Sequence, residues 1–158
     1  MEKKELENYL GPPLITDGFK KRGTSWYREL PGALQLVDLQ KSNFGMQFYI
    51  NLACVPSGME VEGMPFPKEH KCPIRIRLTS AYPNYRDEIE KILNLDDNRL
   101  ELIERGEGIK WLVTHLVLPF VKHMSNSKEL KEAIRRNVFE HGWVTVAAKE
   151  FFQIGGIS

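Results

Sequence analysis

Over residues 46–54 hydrophobic and polar side chains alternate almost without fault: Met46, Phe48, Ile50, Leu52 and Cys54 fall on one side, Gln47, Tyr49 and Asn51 on the other. A period of two marks a half-buried β-strand, which predicts a strand over residues 46–55. Residues 24–30 and 33–41 have the same character and are joined to it and to each other by Pro31-Gly32 and Ser42-Asn43-Phe44-Gly45. Both links are short enough for hairpins, so the three strands are expected to pair antiparallel. A fourth strand over residues 73–79 sets Ile74, Ile76 and Leu78 on one face and Arg75 and Arg77 on the other. Residues 56–71, rich in Gly and Pro, form the longest predicted loop. Its apolar residues Met59, Met64 and Phe66 mean that it either packs back or engages a partner.

Beyond Tyr82-Pro83 the period lengthens to that of a helix. Ile89, Ile92 and Leu93 share one face of a helix over residues 85–95. Ile109, Leu112, Val113, Leu116, Val117, Phe120, Val121 and Met124 form a strong apolar stripe, with a kink expected at Pro119. Asn126 followed by Glu129 predicts a capped helix to about residue 139, and Gly142 interrupts the chain before a last short helix carrying Val146, Ala147, Phe151 and Phe152. At the other end, residues 2–10 read as a polar helix that Gly11-Pro12-Pro13 ends or restarts. A short turn over residues 14–17 follows, with Gly18 as its cap. Strands in the first half and helices in the second predict an α+β fold: a mainly antiparallel sheet of about four strands, packed by helices on one face and open on the other.

Composition narrows the function classes. A chain of 158 residues with 42% hydrophobic content has the length of one ordinary domain, expected to span 1–158. Twenty-two Lys and Arg against 21 Asp and Glu leave a formal charge of +1, so no global field draws nucleic acid or an anionic membrane. The apolar run over residues 111–121, broken by Thr114, His115 and Pro119, falls short of the roughly 20 residues of a membrane span and is expected to be a buried helix. Cys54 and Cys72 are too few for a disulfide framework, and the start MEKKELENYL does not resemble a signal peptide. The expectation is a cytoplasmic protein with reduced thiols.

The open sheet face is the main candidate site. Gln40, Gln47, Tyr49, Asn51, Arg75 and Arg77 are expected to share it, with Asp38 and one of Trp26 or Tyr27. Arginines beside aromatics and amides are what interface hot spots are made of, although a one-sided sheet is polar outside in any case. Lys20, Lys21, Arg22 and Arg28 form one basic cluster; Lys68, His70, Lys71, Arg75 and Arg77 form another. Were the first and fourth strands neighbours, the two would merge into a phosphate-binding surface with Trp26 and Tyr27 to stack bases. Glu29 and Glu69 interrupt that surface and residues 87–107 are strongly acidic, so nucleic acid is not the expected partner.

Catalytic chemistry finds no purchase. His70, Cys72 and Cys54 lack the spacing of a zinc site. His115 and His123 lie about 12 Å apart along a helix, too far for one ion. No cofactor or metal is expected. Gly23-Thr24-Ser25 enters a strand where a nucleophile elbow leaves one, and Gly106-Glu107-Gly108 completes no phosphate-loop pattern. Nothing marks Asp96-Asp97 or Glu88 and Glu90 as a general acid and base.

Gly18, Phe19, Lys20 and Lys21, then Trp26, Tyr27 and Arg28, then Gln40, Lys41 and Ser42 leading to Phe48, Asn51 and Leu52, together resemble the bacterial domain-of-unknown-function family 4304. The resemblance covers roughly the first 80 residues and brings no assigned activity. By analogy with small α+β immunity proteins that neutralise secreted bacterial toxins, the reading is a non-enzymatic module that binds another protein. The alternative is a hydrolase or nucleic-acid-processing enzyme working from Arg75 and Arg77. It requires a deep pocket joining them to His70 or Asp38, whereas a flat or convex face favours binding.

Overall fold

A computed structural model describes residues 1–154. Strands β2 (Ser25–Glu29), β3 (Ala33–Lys41) and β4 (Phe48–Pro56) form where alternation predicts them, and each pairs antiparallel with the next. β5 (Ile74–Arg77) follows on β4, shorter than predicted because the chain turns helical at Leu78 in α2 (Leu78–Ala81). The sheet has six strands rather than about four, in the order β1-β2-β3-β4-β5-β6. β1 (Lys20–Arg22) is three cations in a row with no hydrophobic signal. Its strand is imposed by a tight turn at Gly23, φ +62°, that sets Arg22 opposite Ser25. β6 (Trp143–Val144) adds to the far edge, with Trp143 opposite Arg75 and Val144 opposite Ile74.

Register aligns Trp26, Val37, Leu52 and Ile76 across four strands. With Phe48, Ile50, Cys54 and Ile74 they form the buried face against the helices. Those helices are α1 (Lys3–Thr16), α3 (Arg86–Leu93), α4 (Leu102–Leu112), α5 (Leu118–Val121), α6 (Ser127–Arg135) and α7 (Val146–Phe151). A five-residue π-helical turn, Val113–Val117, links α4 to α5. It lies just before Pro119, whose missing N–H breaks the helical ladder where the kink was expected. The Tyr82 hydroxyl donates to the Leu116 carbonyl in this turn at 2.8 Å.

The first helix is not broken at Gly11-Pro12-Pro13, contrary to the sequence expectation. Leu6, Leu10 and Leu14, spaced by one helical turn, are all fully buried. Each contributes about 1.5–3 kcal/mol, together comparable with the roughly 6 kcal/mol that two interior prolines, Pro12 and Pro13, cost. At Gly11 the helix packs on Trp26, where a Cβ would lie in ordinary contact 3.4 Å from the indole Nε1. The cap is as predicted: Gly18 has φ +108°, its N–H donates to the Ile15 carbonyl and that of Phe19 to Leu14, a Schellman closure. At α6 the Asn126 side chain accepts from the Glu129 N–H at 2.9 Å, also as predicted. This helix ends at Arg135 instead of near residue 139, because Asn137 turns left-handed at φ 60° and the Val138 N–H closes onto the Ala133 carbonyl.

The second face of the sheet is only partly open. The loop over residues 56–71 folds back on it, and Met59, Val61 and Phe66 pack against Tyr27, Leu34, Leu36, Ala53, Val55 and Cys72 in a smaller apolar cluster. Phe66 meets Tyr27 edge-on at 5.5 Å and lies under the Arg22 guanidinium at 3.7 Å, while the Tyr27 hydroxyl donates to the Pro67 carbonyl. Of the loop's three predicted apolar residues only Met64 stays exposed.

Both cysteines are free and buried. Burial pushes the Cys72 thiol from its ordinary 9 up to about 12, with Glu69 adding to the shift, and holds Cys54 well above the usual range. A folded-state value above the unfolded one means that stability is complete below about pH 9. It is lost progressively as pH rises from 9 towards 12. Urea titrations are expected to give a midpoint that is flat from pH 7 to about 9 and falls above it. At pH 8 a thiol reagent should label neither cysteine until denaturant is added, and prompt labelling of the native protein would refute the buried-thiol account.

Candidate functional site

Alternation along β5 sends Ile74 and Ile76 into the core and therefore Arg75 and Arg77 to the second face. Register then sets their neighbours. Ser25, Asp38, Asn51 and Arg77 form one row across β2 to β5, and Tyr27, Leu36, Ala53, Arg75 and Trp143 form the next across β2 to β6. Gln40 stands opposite Tyr49. The loop covers the β2–β4 part of the second row. The end of the face carrying Gln40, Tyr49 and Arg77, with Arg75 and Trp143 at the β5–β6 edge, is left open.

Arg77 is held on three sides. Its Nε donates to Asn51 Oδ1 at 3.2 Å, its Nη2 to Gln40 Oε1 at 3.1 Å, and its guanidinium lies 3.9 Å from the Tyr49 ring centre. The Asn51 amide donates in turn to Gln40 Oε1 at 2.8 Å. Asn51 is 4% exposed, so it positions Arg77 from beneath and does not itself offer a contact. Arg75 lies 5.5 Å from the ring of Trp143, which is 56% exposed, and its Nε is buried with no hydrogen-bond partner. Among the described residues neither arginine is in an ion pair. Asp38 accepts from the Ser25 hydroxyl at 2.6 Å. Burial pushes the Glu69 carboxyl above its usual range, and Arg75 pulls it the other way.

Of the residues expected on this face, Gln40, Tyr49, Asn51, Arg75 and Arg77 come together. Tyr27 shares the face but lies under the loop. Trp26 points the opposite way, fully buried against α1. Gln47 turns to α3, donating to the Glu90 carbonyl at 3.1 Å, and its backbone bridges to Asn94. The two basic clusters do not merge, because β3 and β4 separate β2 from β5 and Arg28 faces the helices, bonded to Gln35 and Asp17.

Trp143 is the residue that sequence reasoning missed. Its signal was the alternation of Trp143 and Thr145 against Val144 and Val146 after Gly142, too short to separate from a loop. The crevice beside Arg77, lined also by Tyr49 and Ile89, is too tight to admit water. A groove of about 640 Å³ lies at the other end of the face between Leu34, Val55, Met59 and Met64, and one of about 690 Å³ runs beside Trp143 between Arg135, Asn137 and Lys149. No group of His, Cys, Asp and Glu among the described residues could hold a metal ion, and no helix among them is long and apolar enough to cross a membrane.

Residues 10–123 match the family model of a domain of unknown function, DUF4304. The chain belongs to the DUF4304 family. The match takes in β1 to β5 and α2 to α5, and leaves α6, β6 and α7 outside it. No curated protein and no solved structure matches the chain. Several residues that carry the DUF4304 resemblance have plain structural duties here. Gly18 closes α1, Phe19 is buried under the Arg28 guanidinium at 4.4 Å, and Trp26 and Phe48 fill the core.

Proposed function

We propose that this protein is a protein-binding module, not an enzyme, and that it meets its partner through Gln40, Tyr49, Arg75, Arg77 and Trp143 at the open end of the sheet. The observation that carries this reading is Arg77, an unpaired guanidinium held in place by two amides and an aromatic ring. Ordering a long side chain on binding costs about 0.5–1.5 kcal/mol, and here much of that ordering precedes the partner's arrival. Tyr, Trp and Arg are the residue types in which binding energy concentrates. The crevice beside Arg77 admits no water, which favours a protein partner at the arginines over a small substrate, since that needs a concave site. The physiological role that suits such a module is that of a cytoplasmic neutraliser of a secreted toxin, by analogy with immunity proteins.

The test is capture from native host lysate by the wild type and by a Tyr49→Ala/Arg75→Ala/Arg77→Ala variant with the same urea midpoint. A partner recovered by the wild type and reduced about tenfold or more in the variant is the expected result, since three hot-spot truncations together exceed the 1.4 kcal/mol that tenfold represents. Equal recovery by both proteins would remove the sheet end from the interface.

A further inference from the structure

We infer that the partner segment bound at this site is acidic: an extended stretch of protein whose carboxylates seat on Arg77 and Arg75 and which continues past Trp143 into the groove lined by Arg135, Asn137 and Lys149. The inference rests on the protein-binding reading and names the chemistry of what is bound. Its first support is a set of cations without ion-pair partners. Among the described residues none of Arg75, Arg77, Arg135 and Lys149 has a carboxylate within ion-pair distance. These four gather at one edge of the sheet and along the groove beside it.

The second support is spacing. Arg75 and Arg77 are two residues apart on one strand, so they project on the same face about 6–7 Å apart. Alternate side chains of an extended peptide have that same repeat, and the planar fork of arginine suits a carboxylate. Arg75 adds a reason for the pairing. Its Nε is a buried donor without a partner, a cost that is relieved if the guanidinium swings outward to meet an acceptor. Trp143, exposed between Arg75 and the groove, offers the apolar contact that a purely ionic strip lacks.

The acids nearby separate a peptide from a nucleic acid. Asp38 and Glu69 flank the arginines, and Glu140 lines the groove with Arg135 and Lys149. A phosphodiester backbone carries a charge at every nucleotide and meets these acids wherever it passes. A peptide places its carboxylates at intervals and neutral residues between them.

The experiment measures fluorescence anisotropy of three probes at low and physiological salt: a short labelled peptide alternating Glu with Thr, the same peptide with Gln for Glu, and a short oligouridylate. They are titrated with the wild type, with Arg75→Gln/Arg77→Gln, with Arg77→Lys and with Arg135→Gln/Lys149→Gln, each checked for an unchanged urea midpoint. The Glu peptide is expected to bind best and the Gln peptide about tenfold or more weaker. Arg75→Gln/Arg77→Gln should lose a similar factor, and Arg77→Lys should lose part of it because charge without the fork is insufficient. Equal binding of the Glu and Gln peptides, tighter binding of the oligouridylate, or no binding of the Glu peptide overturns the inference. Should lysate capture depend on Tyr49, Arg75 and Arg77 while the Glu peptide fails to bind, the partner is not acidic and the protein-binding reading stands. Should both fail, both fall.

Discussion

Replacing Arg105 with Met is expected to destabilise the protein by about 3–5 kcal/mol. Arg105 sits on α4 and is 3% exposed. It is in no ion pair among the described residues. Its guanidinium instead donates Nη1 to the carbonyls of Lys91 at 2.9 Å and Ile92 at 2.7 Å, and Nη2 to the carbonyl of Asp97. Two of those carbonyls lie in the last turn of α3, where the helix dipole is negative; that of Lys91 also accepts from the Asn94 N–H at 3.4 Å, whereas that of Ile92 has no helical N–H left to satisfy it. One buried cation thus closes the end of α3 and ties the turn after it to α4. Burial pulls Arg105 below its usual range, with Asp97 acting against the pull, so the charge is itself held at a cost.

That cost is why Met is the informative replacement. Exchanging a whole buried ion pair for apolar groups is often neutral, because the desolvation penalty disappears with the charges. Here only the donor would be removed: the carbonyls of Ile92 and Asp97 would lose their partner, and that of Lys91 would keep only the long bond from Asn94. Each buried acceptor left without a partner costs about 1–3 kcal/mol, which outweighs the relief of burying no charge. Arg105→Lys should fall between, since an ammonium reaches fewer of the carbonyls at once. In a chain of this size the Met variant should melt roughly 6–20 °C lower. A loss below about 1 kcal/mol by urea titration would mean that water satisfies the carbonyls and that Arg105 is not the closure of α3.

Arg105 also shows where sequence reading stops. It falls in residues 87–107, which read as a solvated acidic surface, and nothing in its local pattern separates it from Arg99, which is exposed and paired with Asp97. Strands β3 and β4 were legible because each is long enough for period two to show, and both the Asn126 cap and the Gly18 closure were legible because they are local chemistry. The failures share one cause. β1 and β6 contain too few residues for a period and exist only by pairing with a strand already formed. The passage of α1 through Pro12 and Pro13 is decided by Leu14, whose burial depends on the sheet beneath it. Trp26 and Tyr27 are adjacent, so one had to face the core. The parity was set by Trp26 lying in register with Val37 and Leu52, a long-range fact. Five of the candidate contact residues were grouped correctly because parity along β3, β4 and β5 brings them together once those strands pair. Trp143 was not, because its place follows from β6.

Gly142→Ala is expected to detach that place from the site while leaving most of the fold intact. A Cβ on Gly142 would stand 2.5 Å from the Arg75 carbonyl oxygen and 2.9 Å from Ile76 Cβ. The first of these is backbone inside the sheet and cannot yield, so β6 has to move. It has little to hold it. Only Ile74 with Val144 and Arg75 with Trp143 pair across the two strands, followed by the Thr145 N–H to the Pro73 carbonyl at 3.0 Å. The core beneath is filled by Leu130 and Ala133 of α6, Ala148 of α7, and Phe139 and Phe152, which follow those helices. Overpacking of this kind costs about 1–3 kcal/mol globally, but the local consequence is larger. The amide of Thr145 should pass from protected to freely exchanging in hydrogen exchange, while amides of β3 and β4 keep their protection. Trp143 would then leave Arg75, and affinity for the acidic peptide should fall about tenfold through the lost aromatic contact and the broken continuity with Arg135 and Lys149. Trp143→Ala supplies the comparison, since it removes the ring without moving β6. If Gly142→Ala leaves the Thr145 amide protected, the close approach of β6 to β5 does not hold the edge. If it frees that amide and peptide affinity is unchanged, Arg75 and Arg77 act alone and Trp143 lies outside the binding surface.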